Sequence, residues 1–122
     1  MILVDTSIWI DHLRAKDSML AGLLKTGHVL MHPFVLGELA LGHLRQREMI
    51  LRDFSHLPHA IMATHVEVLH FIERHALFGL GVGLVDVHLL ASVRLTDGAS
   101  IWTRDKRLNG VASQLGLAAT LQ

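Results

Sequence analysis

Apolar residues along this chain come in short unbroken runs separated by spaced stripes, a pattern that predicts strands interleaved with helices. Ile2-Leu3-Val4 runs into Asp5 and predicts a buried strand over 2–5. Thr6 or Ser7 caps a helix to about residue 14, with Ile8, Trp9 and Leu13 as its apolar side. Asp17 caps a second helix that stops before Gly27, and residues 29–31 form a second strand. Pro33 suits the first turn of a third helix reaching about residue 45. Residues 46–56 read as helical and end before Pro58, with a short strand at 60–62. Val68, Leu69, Ile72 and Leu77 keep helical spacing over 64–78. Gly79, Gly81 and Gly83 then form a flexible loop before a long apolar helix over 84–96. A turn at Asp97-Gly98, a strand at 100–102, a helix over 105–115 and a final strand at 117–119 complete the pattern. The expected class is therefore α/β: a parallel central sheet flanked by helices on both faces.

Composition narrows this picture. At 122 residues the chain reads as one domain spanning 1–122, long enough to bury a core. A hydrophobic fraction of 51% and a mean hydropathy of +0.42 suggest a heavily buried sheet, an apolar partner surface, or both. Charged residues, His or Gly interrupt every run that could cross a bilayer, so no membrane role is expected. No basic leader region precedes the first apolar run, and cysteine is absent, so disulfides and thiolate metal sites are ruled out. The cytoplasm is the expected location. The net charge of zero argues mildly against nucleic acid. If four of the eleven acids are committed to a cation, however, the remaining surface is net basic. Arg45, Arg47 and Arg52 form one basic group, and Arg104, Lys106 and Arg107 another; either also reads as an ordinary solvated face.

Four acids carry the candidate chemistry. Asp5 lies at a strand exit, where parallel sheets collect ligands, although Asp there also begins turns and caps helices. Asp105 repeats that placement after Ser100-Ile101-Trp102-Thr103, with the same alternative of capping the last helix. Glu38 shares a helix face with Phe34, Val35 and Leu41, which makes it either the wet edge of an apolar stripe or an inward charge. Asp86 opens the long apolar helix on the face of Leu90 and Val93, where the helix dipole alone would favour it. Two unit charges ~4 Å apart repel by about 4 kcal/mol at an effective dielectric of 20. Four converging carboxylates thus call for a cation, and oxygen-only ligands select Mg²⁺ or Mn²⁺. Such a site suits phosphoryl chemistry.

Other signals are weaker. The ten histidines lack an H-E-x-x-H spacing and read as surface or core residues. The Gly79–Gly83 segment is neither a P-loop nor a dinucleotide fingerprint. Ser7, Ser92 and Ser113 have no nucleophile-elbow context. Trp9 and Trp102 read as core residues beside the two acidic strand tips.

Val4-Asp5-Thr6-Ser7-Ile8-Trp9 resembles the opening of PIN-domain ribonucleases, specifically VapC-type toxins of bacterial toxin–antitoxin pairs. Glu38-Leu39-Ala40-Leu41-Gly42 is similar to their second acidic motif, the segment from Gly83 to Ser92 to the third, and the segment from Trp102 to Leu108 to the fourth. The four motifs occur in the family's order and spacing, and the match covers the whole chain. The resemblance implies a pocket of Asp5, Glu38, Asp86 and Asp105 binding Mg²⁺ or Mn²⁺, hydrolysis of RNA, inhibition by a VapB-type antitoxin and a homodimer. Some relatives carry a further acid one helical turn after the third; here that position is Leu90. On this expectation Asp5 and Asp86 hold the ion and Asp105 completes or shares its shell. Glu38 binds through water or orients the attacking water. The Thr6 and Thr103 hydroxyls hold outer waters, and Arg104, Lys106 and Arg107 steer RNA phosphates. A phosphoryl-accepting receiver domain would need an acid pair at the first strand tip, and a haloacid-type phosphatase a second Asp where Ser7 stands. The remaining alternative is a PIN-like binding module with a decayed site.

Overall fold

The computed structural model describes residues 1–121. Its elements in chain order are β1 (Ile2–Val4), α1 (Thr6–Arg14), α2 (Ser18–Lys25), β2 (Val29–Leu30), α3 (Pro33–Ala40), α4 (Arg47–Ser55), α5 (His65–His75), α6 (Leu84–Leu95), β3 (Ser100–Trp102) and α7 (Lys106–Gln114). The three strands form one parallel sheet in the order β2-β1-β3, with Leu3 opposite both Leu30 and Ile101. Successive strand residues face opposite sides of a sheet. Leu3 and Val4 are both fully buried, as are Leu30 and Met31 to within a few per cent, so both faces are covered. The α/β expectation therefore holds. The strands are short because each breaks into a helix or loop as soon as it clears the core, which brings the tips of β1 and β3 together: the Asp5 N–H donates to the Trp102 carbonyl at 2.9 Å.

Two expected strands shrink to single bridges. Residues 60–62 do not form a strand; only Met31 and His59 bridge, and Ile61 and Met62 lie exposed. The backbone amides that would extend this edge are taken by hydroxyls of α6 and its end: Ile61 N–H donates to Thr96 Oγ1 at 2.9 Å and Ala63 N–H to Ser92 Oγ at 3.2 Å. Side-chain oxygens here compete successfully with a sheet ladder. Residues 117–119 likewise touch the sheet through one bridge between Ile101 and Ala118.

Helix limits also differ from expectation. α3 stops at Ala40 rather than near residue 45, leaving Leu41 90% exposed. α5 ends at His75, where Ala76 turns into the left-handed region at φ 51°. α6 matches its reading as apolar nearly all round: every residue from Val87 to Val93 is buried.

Candidate active site

The tip of β1 places Asp5, 7% exposed, at the N-cap position of α1, yet its carboxylate takes no amide of that helix. This differs from the expectation that Thr6 or Ser7 would cap. Both hydroxyls are spent on carboxylates instead. Ser7 Oγ donates to Asp5 Oδ2 at 2.9 Å, and Thr6 Oγ1 to Glu38 Oε1 at 2.6 Å. Across the sheet, Thr103 Oγ1 donates to the same Asp5 Oδ2 at 2.7 Å. The two hydroxyls that hold Asp5 are themselves held by consecutive amides of the loop after β3. Arg104 N–H donates to Ser7 Oγ at 3.2 Å and Asp105 N–H to Thr103 Oγ1 at 3.0 Å. A hydroxyl has one proton, and here each proton is aimed at Asp5 while the amide polarises the oxygen behind it. Oδ1 of Asp5 accepts no side-chain hydrogen bond among the described residues, so it remains available to a ligand.

Asp86, half-buried in the first turn of α6, carries the electrostatic signature of the site. Its carboxyl is pushed above the usual carboxylate range by burial, then by the charge of Asp5, and also by Asp105 and Glu38; the Gly83 amide opposes them. One group thus feels the other three acids. Glu38 reaches this field from the exposed side of α3. The apolar stripe expected around it is incomplete, because α3 ends before Leu41, and Glu38 is its wet edge rather than an inward charge. Asp105 does cap α7, accepting Arg107 N–H at 2.9 Å and Leu108 N–H at 3.1 Å through Oδ1 alone. Its alternative reading and its place in the acidic field therefore coexist.

The donor set is oxygen-only and mutually repulsive, which fits a hard divalent cation. Among the described residues no three acids or histidines stand as a finished cage. The fit therefore lies in chemistry and charge rather than in a preassembled shell.

The basic residues divide. Arg104 is already engaged, with Nε on Asp11 at 2.5 Å and Nη2 on Asp17 at 3.1 Å. Lys106 is exposed. Arg107 lies against Gly81, whose φ is +79°; a Cβ there would come within 2.7 Å of the guanidinium. The positive φ favours glycine where the loop preceding Asp86 meets α7. A groove of about 690 Å³ opens beside Glu38, lined by Ile10, Leu13, Arg14, His43 and Arg45 among others.

Sequence reasoning missed three contributors. Ser7 reads from sequence as a helix cap or a nucleophile candidate, not as a donor to Asp5. The Asp11–Arg104–Asp17 cluster joins residues roughly ninety positions apart and leaves no local pattern. His32, fully buried, caps α3 by accepting Phe34 N–H at Nδ1 and meets Ser92 of α6 at Nε2, both at 3.0 Å. It ties together the two helices that carry Glu38 and Asp86. The one available signal for His32 was its place immediately before Pro33.

The chain matches the PIN domain family over residues 2–114. It is 48% identical over 118 residues to Ribonuclease VapC32 of Mycobacterium tuberculosis, in both strain CDC 1551 / Oshkosh and strain ATCC 25618 / H37Rv. Each alignment covers 97% of this chain and 95% of the relative.

Proposed function

The chain belongs to the PIN-domain family and is a relative of the VapC-type ribonucleases, and from that premise we propose that it is a Mg²⁺- or Mn²⁺-dependent endoribonuclease. It acts as the toxin of a type II toxin–antitoxin pair, held in check by a VapB-type antitoxin. The reading takes residues 1–122 as one PIN domain, working in the cytoplasm as a homodimer. Among the described residues no helix is long and apolar enough to cross a membrane.

What supports the proposal is the half-buried Asp86 set among Asp5, Asp105 and Glu38, its carboxyl raised by burial and then by those charges. Asp5 and Asp86 are assigned to the cation, Asp105 to completing or sharing its ligands, and Glu38 to orienting the attacking water. When bound, the ion activates that water and offsets charge on the phosphate. The chain's own residues do the rest. Ser7 and Thr103 hold one oxygen of Asp5 and leave the other toward the ligand. Thr6 fixes the Glu38 carboxylate. Lys106 and Arg107 supply positive charge for RNA phosphates. Arg14 and Arg45, in the groove beside Glu38, supply more. Arg104, also expected to steer phosphates, is committed to two carboxylates.

The test is Mg²⁺-dependent cleavage of RNA by the wild type and by Asp5→Asn. Cleavage that is lost in EDTA and in the variant supports the assignment. Equal activity of the two proteins would remove Asp5 from the chemistry, and RNA binding without cleavage would favour the decayed binding module.

A further inference from the structure

We propose that Arg104 is a positioning residue for the Asp5 carboxylate, acting through the loop between β3 and α7, rather than a contact for RNA. This rests on the reading of the four acids as a cation site. The guanidinium bridges two helices, since Asp11 lies in α1 and Asp17 caps α2. Asp17 is anchored in turn: its Oδ1 accepts Leu20 N–H at 3.0 Å, and its own N–H donates to His12 Nδ1 at 3.0 Å. The side chain of Arg104 thereby fixes the stretch of backbone whose amides, Arg104 and Asp105, orient Ser7 and Thr103. Those hydroxyls converge on Asp5 Oδ2.

Charge argues the same way. One guanidinium between two carboxylates leaves the trio net negative, which repels a phosphate. Part-exposed ion pairs contribute only about 0–1 kcal/mol to stability, so global folding gives a weak reason for this arrangement. A planar fork gripping two acids from two helices sets a direction, which a lysine could not reproduce.

The test uses the full chain and two probes, Mg²⁺ alone by calorimetry and a single-stranded RNA oligonucleotide titrated against salt in EDTA. Arg104→Gln is expected to weaken Mg²⁺ binding about 10-fold, within the range for residues that orient metal ligands. The pair Asp11→Asn with Asp17→Asn, which keeps a side-chain oxygen to cap α2, is expected to weaken it similarly. Adding Arg104→Gln to that pair is expected to add little. The salt slope of RNA binding stays unchanged in all of them. Unchanged Mg²⁺ affinity together with a salt slope shallower by about 0.7 would overturn the proposal and make Arg104 a phosphate contact. If Arg104→Gln does not fold, Arg104→Lys is the second variant. It keeps the charge, so weakened Mg²⁺ binding with an unchanged slope supports positioning, and wild-type Mg²⁺ affinity refutes it. A wild type that binds no Mg²⁺ would defeat the cation site, and this inference with it, in a way that differs from an Arg104 effect on RNA alone.

Discussion

Two polar clusters lie at the ends of α3 and α6, and they are built on opposite principles. Around His32 the groups answer one another: both ring nitrogens have partners, and Ser92 Oγ also accepts Ala63 N–H. Since Nδ1 accepts the Phe34 amide, the ring proton belongs on Nε2, and the knot is neutral. Around Asp86 the groups oppose one another, with four acids, burial and a carboxyl raised above its usual range. A satisfied buried network fixes helices relative to each other. A cluster of opposed charges with a raised carboxyl is a candidate ligand site. In this molecule the first holds in place the helices on which the second is built.

The largest test of that contrast sets one substitution in each cluster. Asp86→Asn removes the acid proposed as a direct cation ligand, so on that proposal RNA cleavage is expected to fall by more than about 100-fold, beyond the range for outer partners of metal ligands. It also removes a charge that three neighbours repel, so unfolding in urea without Mg²⁺ is expected to show a gain of about 0.5–2 kcal/mol. His32→Ala does the reverse. It orphans the Phe34 amide and a partner of Ser92 and removes a helix cap, with an expected loss of about 2–4 kcal/mol. A destabilised Asp86→Asn, or a His32→Ala as stable as wild type, would erase the distinction between the clusters.

How much of each cluster could be read from sequence follows from its geometry. Asp5 and Asp105 were legible because each follows a buried strand's exit and begins the next helix, and Asp86 because it opens a helix buried nearly all round. Glu38 was found for a weaker reason, since the apolar stripe invoked for it breaks where α3 stops short of Leu41. The His32 knot was not legible: Ser92 and Ala63 lie far from it along the chain, and its one local mark, a place immediately before Pro33, says nothing of them. The edge strand at 60–62 failed for the same reason, because the hydroxyls that capture its amides lie about thirty residues away on α6 and at its end. Local patterns recover which elements exist; contacts between distant polar groups decide where they end.

Acid sharpens the comparison at intermediate size. Burial, with the nearby His88 and His59, lowers His32 to about 4 from an ordinary 6.5. The unfolded chain takes up this proton below pH 6.5, whereas the folded chain refuses it until about pH 4. The stabilisation is therefore complete above pH 6.5 and lost as pH falls toward 4, about 3 kcal/mol in all. His75 and His88, both lowered by burial, act in the same direction. Urea unfolding across this range is expected to show stability rising with pH. His32→Asn, which keeps an oxygen for the Phe34 amide, is expected to flatten the rise by about one proton. An unchanged slope would mean that the neutral knot is not what acid attacks.

The finest distinction lies inside the acidic cluster, between two threonines that each donate to a carboxylate. Thr103 is buried, and its hydroxyl is fixed from behind by the Asp105 amide. Thr6 donates a shorter bond, 2.6 Å, but to an exposed glutamate that water also reaches. Length alone would rank Thr6 first. Solvent competition reverses the order, because a lost bond to an exposed acceptor is replaced by water whereas a lost bond in a buried site is not. Thr103→Val keeps the shape and is expected to lower Mg²⁺-dependent cleavage by about 10–100-fold. Thr6→Val is expected to lower it less than about 10-fold, measured as kcat/KM on one RNA substrate. If Thr6→Val proves the more damaging, the orientation of Glu38 matters more to the chemistry than the grip on Asp5, and the site is organised from α3 rather than from the strand tips.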